Sequence, residues 1–284
     1  MFDAPTSHES AAPTQGGSMA RFVLLAGLVN LTLGSVASAQ LTDAEFKCQT
    51  SVSKAGSKFV GSKAKCAIKC IANARKGLNP FMDCFAPYGG ATLACIADPV
   101  KGAEVKFETA IRRACDPGFK VGTDCPECYS GGDCSTSGEA GNRVWNIEGQ
   151  VDSYFGPGVF CEQPGADAAE TLCGLNTAKT LSKLVSSVNK CYEKCHRNAR
   201  KGLISESTCA PPASDPTTMA CVSAADFKSI FAIDRKCGDV GAIPDCGSPD
   251  DYPNGASWTN LFEIAFSGNV PQTYCPSPSG AFLD

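Results

Sequence analysis

The sequence predicts a mainly α protein: two tandem disulfide-stapled antiparallel helical hairpins, each followed by a loop-rich C-terminal arm. Three observations lead there. The chain holds 18 cysteines in 284 residues, it repeats itself at an offset of 125 residues, and both copies carry matching helix start and stop signals.

Cysteine usage is the compositional outlier, because reducing compartments disfavour so many thiols while exported domains use them as covalent staples. The N-terminus agrees. Met19-Ala20-Arg21 is a short basic start, Phe22 to Gly34 is apolar, and Ala37-Ser38-Ala39 supplies a small-x-small cleavage pattern. A signal peptide cut after Ala39 is expected, with 1–39 an N-terminal extension and leader. The apolar run is short for a membrane span of about 20 residues. A secreted or periplasmic protein without a transmembrane segment in its mature chain follows.

The repeat organises the remainder. Cys48, Cys66, Cys70 and Cys84 map without a gap onto Cys173, Cys191, Cys195 and Cys209; Cys95, Cys115, Cys125 and Cys161 then meet Cys221, Cys237, Cys246 and Cys275. Residues 42–78 and 167–203 share 18 of 37 positions, including Asn-Ala-Arg-Lys-Gly-Leu at 73–78 and 198–203. Only Cys128 and Cys134 lack counterparts. Even parity lets each copy close its own bridges, so repeat 1 spans 40–163 and repeat 2 spans 164–284.

Each copy should open with a long helix. Thr42-Asp43-Ala44-Glu45 and Asp167-Ala168-Ala169-Glu170 read as capping boxes, and Gly77 and Gly202 sit where a left-handed residue ends a helix. The seam in copy two steps through Thr177, Leu181, Leu184, Val188, Cys191 and Cys195. A second helix is expected from Asp98-Pro99 in copy one, with Val100, Phe107 and Ile111 inward. In copy two Ser223 should cap it, with Phe227, Ile230 and Phe231 on the apolar side. Helix lengths at 1.5 Å per residue place the cysteines of an antiparallel hairpin opposite one another. The pairs expected are Cys48–Cys115, Cys66–Cys95, Cys70–Cys84 and Cys125–Cys161, with Cys128–Cys134 local. Copy two should repeat them as Cys173–Cys237, Cys191–Cys221, Cys195–Cys209 and Cys246–Cys275. One short element is expected near Trp145 and near Trp258; the sequence does not choose between helix and strand.

Several motifs invite chemistry. Cys191-Tyr-Glu-Lys-Cys195-His196 resembles a stretched haem-attachment site, but the matching stretch in copy one ends Cys70-Ile71. Cys125-Pro-Glu-Cys128 has the form of a redox dithiol, and with Cys134 that of a zinc knuckle; structural disulfides are the default reading in an oxidising compartment. After leader cleavage His196 is the sole histidine, and no nucleophile elbow, zinc-protease helix or phosphate loop is present. No catalytic residue, cofactor or metal ligand is assigned.

A lysine stripe is more telling. Lys47, Lys54, Lys58, Lys65, Lys69 and Lys76 recur at seven and four residues, within a band of about 60° on a helix. Lys179, Lys183, Lys190, Lys194 and Lys201 repeat five of them. Such a row attracts extended polyanions such as acidic polysaccharide, lipopolysaccharide or nucleic acid. The competing reading is a solvated helix face, neutralised by the acidic arm: residues 40–125 hold 13 basic and 8 acidic side chains, residues 126–166 hold 1 and 6.

The segment Lys47-Cys48-Gln49 with Lys54-Ala55-Gly56-Ser57-Lys58-Phe59, followed by the paired cysteines, resembles secreted cysteine-rich helical repeat proteins of bacteria. That resemblance implies export and disulfides and no activity. The i, i+4 cysteine pairs also resemble those of small stapled helical hairpins, which carry such a pair on both helices; here Cys84 and Cys95 lie eleven apart. The function expected is an exported binding or structural protein of a surface, matrix or adhesion type, with acidic polysaccharide or another surface protein as its partner. The alternative is a small extracellular enzyme or thiol-disulfide protein using Cys125 and Cys128.

Overall fold

The computed structural model describes residues 42–116, 125–129, 131–153, 159, 168–237, 255–260 and 273–274. Among them the protein is mainly helical. Helix α1 runs Asp43–Ala74, α2 Gly90–Ala97, α3 Ala103–Cys115, α4 Glu139–Ser153, α5 Ala168–Arg200 and α6 Pro216–Cys237, with 3-10 turns at Phe81–Cys84 and Glu206–Thr208. No described helix is long and apolar enough to cross a membrane.

The start of α1 is a capping box: Thr42 Oγ1 accepts from the Glu45 amide at 3.2 Å, and the Glu45 carboxylate accepts from the Thr42 amide at 2.7 Å. Asp167 lies outside the described residues. Both long helices end alike. Gly77 and Gly202 adopt φ of 70° and 69°, and the amides of Leu78 and Leu203 donate back to Asn73 and Asn198 at 3.0 Å. This six-residue closure needs a left-handed residue, and glycine supplies it without strain.

Disulfides Cys48–Cys115 and Cys66–Cys95 staple α1 to the α2–α3 limb, and Cys70–Cys84 ties α1 to the first 3-10 turn. Likewise Cys173–Cys237 and Cys191–Cys221 staple α5 to α6, and Cys195–Cys209 ties α5 to the end of the second 3-10 turn. These six pairs are those the spacing predicts. Between the rungs Phe59 of α1 stacks on Phe107 of α3 with ring centroids 5.0 Å apart. The returning limbs differ from expectation. In copy one it is broken into α2 and α3 at residues 98–102, so Val100 is exposed rather than inward. In copy two α6 starts at Pro216, ahead of Ser223, because Asp215 accepts from the Thr218 amide at 2.8 Å and caps it. With Cys221 and Cys237 fixing its phase, α6 buries Ser229 and Ile233 and leaves Phe227 and Phe231 exposed.

The arm pairing is also corrected. Cys125 bonds Cys134, in place of the expected Cys125–Cys161 and Cys128–Cys134. A tight turn explains it: the amides of Gly132 and Asp133 donate to Tyr129, folding Cys134 back beside Cys125. Cys128 is itself disulfide-bonded. Cys161, Cys246, Cys275 and the boundary near Pro164 lie outside the described residues. Trp145 sits exposed on α4, whereas Trp258 is buried within a helical stretch at 255–260.

The described residues from 42 onward belong to one compact unit. Its centre is the packing of α1 on α5. Arg200 meets Asp43 at 2.5 Å, Glu193 meets Lys54 at 3.1 Å and Asn189 donates to Ser57 at 2.7 Å. Residue numbers rise on one helix as they fall on the other, so the pair is antiparallel.

Candidate functional site

The antiparallel pairing decides where the lysines go. Equivalent residues differ by 125, and each helix uses the same side to meet the other: Ser57 touches Asn189, the counterpart of Ala64, one turn or two along the same stripe. Two like helices packed side by side in opposite directions are related by a twofold axis normal to the pair. Equivalent positions then share a face. The two lysine stripes therefore form one surface.

That surface is what remains of α1 once its other sides are used. One flank packs α3 through Phe59, the other packs α5 through Ser57, and the back receives α4 at Lys63. Lys47, Lys54, Lys58, Lys65, Lys69 and Lys76 are all exposed, as are Lys179, Lys183, Lys190, Lys194 and Lys201. Acidic residues in α1 are confined to Asp43 and Glu45 in the first turn, and those of α5 to Glu170 and Glu193. Among the described residues Lys54 is the one stripe lysine with a carboxylate partner, Glu193, which Arg197 also contacts.

On the opposite side of α1 lies a cluster that sequence reasoning missed. Lys63 is fully buried and pairs with Glu148 and, at 2.7 Å, with Asp152, both on α4. The Tyr88 hydroxyl donates to Asp152 at 2.5 Å, and its ring lies 5.2 Å from the Lys63 ammonium. Burial, then the Asp152 and Glu148 carboxylates, hold the Tyr88 phenol well above its usual range. Glu104 of α3 completes the group through a hydrogen bond to Glu148. One signal was available: at offset 125 Lys63 falls on Val188, a seam residue.

Two carboxylates sharing a hydrogen bond need a proton between them, since ionised carboxylates only accept. Desolvation and Glu148 push the Glu104 carboxyl up to about 7, against the pull of Lys63. A raised acid binds its proton more tightly in the folded state than in the unfolded one. Its contribution is complete below the ordinary carboxyl range and disappears as pH climbs through about 7. The urea midpoint of the native protein should therefore fall between about pH 5 and about pH 8 by more than that of Glu104→Gln, which keeps a donor at every pH. Equal slopes would disprove the shared proton.

Cys191 and Cys195 are both in disulfides, so neither is available for haem attachment, and His196 is buried, bonded to Glu206 and stacked on Tyr274 with centroids 4.0 Å apart. Cys125 and Cys128 sit in two different disulfides, so the four-residue motif is not one dithiol couple, and no described cysteine is free. The sulfurs of Cys48, Cys115 and Cys134 lie within 4.8 Å of one another as two stacked disulfides.

No protein family, curated protein or solved structure matches this chain. A cavity of about 200 Å³ opens at the far end of the α1 stripe beside Lys69, walled by the Cys66–Cys95 and Cys70–Cys84 disulfides. Sites for drug-sized ligands run to ~300–1,000 Å³.

Proposed function

We propose that this chain is an exported, disulfide-stapled binding protein of a cell surface or matrix that engages acidic polymers through the joint lysine face. The density of disulfides fits an oxidising compartment, and the basic, apolar and small-residue order of residues 19–39 supports export through a cleaved leader. One observation carries the binding reading: both stripes lie exposed on one side of the α1–α5 pair, with Glu193 the only acidic residue along their middle. Like charges so concentrated raise the free energy of the protein alone. A polyanion relieves that repulsion and releases its own counterions, so its binding is favoured at low salt.

An anionic resin tests this. The oxidised protein should be retained at low ionic strength and elute as added salt shortens the screening length below about 5 Å. Lys58→Glu with Lys65→Glu should lower the salt needed for elution, and so should the equivalent Lys183→Glu with Lys190→Glu. All four together should abolish retention. Retention that ignores the quadruple reversal would overturn the proposal.

A further inference from the structure

We infer that the cavity beside Lys69 is a sugar-reading site, so that the polymer taken by the lysine face is a linear chain of acidic sugars with one unit seated in the first hairpin. This deepens the proposed function and rests on it. The stripe alone recognises charge. The cavity adds groups that recognise shape and hydroxyls.

Its lining is mixed in a way that narrows the ligand. Lys69 supplies one cation at the rim, Asp83 one carboxylate, and Asn73, Asn79 and Thr92 amides and a hydroxyl. The Asp83 carboxylate has no hydrogen bond or ion pair among the described residues. Space is kept for it. A Cβ on Gly89 would lie 2.2 Å from Asp83 Oδ1, and Gly90, at φ 49°, would place one 3.1 Å from Oδ2. An ionised carboxylate only accepts, so it calls for donors from the occupant, and the hydroxyl pairs of a sugar ring provide them. Lys69 meanwhile suits an acidic group on the same ring. A phosphate chain would present no donor and would be repelled by Asp83. No aromatic residue lines the cavity to stack a nucleobase, which argues against single-stranded nucleic acid.

The walls are rigid before anything binds. Two disulfides fix α1 against the turn and α2 on either side, so little ordering cost falls on the ligand. The duplication supplies a control. Lys69 and Asn73 return as Lys194 and Asn198, but Asn79 and Asp83 return as Ile204 and Thr208. The second copy keeps the charge and lacks the acceptors. One sugar-reading cavity on a two-stripe face would set the register of the polymer along it.

Two measurements decide. In an amide NMR titration of the oxidised wild-type chain, sodium glucuronate should shift Asn73, Asn79 and Thr92, and inorganic phosphate at equal concentration should not. Next, oligogalacturonate and polyphosphate of matched charge are compared on wild type and on Asn79→Ile with Asp83→Thr, the residues the second copy already uses. The double variant should bind the oligouronate ~10-fold or more weakly, the worth of one hydrogen bond to a charged acceptor, and polyphosphate no more weakly than wild type, since the carboxylate that repels it is gone. Silence at the lining amides with glucuronate overturns the sugar site. Undiminished affinity of the variant for the oligouronate overturns it too, while leaving the lysine face standing. If neither polymer binds at low salt, the lysine face fails, and the glucuronate titration alone then decides the cavity.

Discussion

Lys63→Val should destabilise the protein by ~3 kcal/mol or more, a larger loss than any single stripe lysine would cause. Removing a buried cation leaves its partners behind. Glu148 and Asp152 keep only 26% and 21% of their side-chain surface exposed, and Tyr88 already occupies Asp152. Two carboxylates and the shared Glu104 proton would then face one another without the ammonium that holds them. The variant is sterically mild, since the second copy buries Val188 at the same position. A large loss therefore reports charge and not volume. Adding Glu148→Gln and Asp152→Asn should recover roughly half of it, because neutral amides need no counter-charge. Urea unfolding with the disulfides intact measures both, and a loss under ~1 kcal/mol for Lys63→Val would show that the cluster is solvated enough to rearrange.

The contrast between Lys63 and Val188 also shows what the sequence displays and what it hides. Periodicity and capping made α1 and α5 legible almost to the residue, because both ends are written in local chemistry: a capping box at Thr42, and glycines at 77 and 202 that close the last turn. Cysteine spacing set six rungs, since a rigid rod leaves few partners in reach. The arms follow other rules. Cys134 meets Cys125 through a turn around Tyr129 that no helical ruler measures. Likewise Asp215 sets where α6 starts while Cys221 and Cys237 set its phase, and an error of half a turn moved Phe227 and Phe231 from core to surface. The stripe lysines were visible singly. Their union on one face was not, because it depends on the antiparallel contact of Asp43 with Arg200 and of Ser57 with Asn189, which is tertiary.

Cys48→Ala with Cys115→Ala should cost ~4 kcal/mol, about 1 kcal/mol more than Cys70→Ala with Cys84→Ala. Loop length sets the difference. The first bridge closes 67 residues and the second 14, and a longer loop withholds more freedom from the unfolded chain. Burial reinforces it, since Cys48 and Cys115 have no exposed surface and pack against the Cys125–Cys134 bridge. The same bond ties the end of α3 to the start of α1, and α3 carries Glu104 to the Lys63 cluster. Opening that rung should loosen the limb that seats the shared proton. Losses from Lys63→Val and from the Cys48–Cys115 pair should then sum to less when combined than separately, as expected for sites coupled through one element. Full additivity in the triple variant would mean that α3 stays docked through Phe107 alone and that the rung and the ionic cluster act independently.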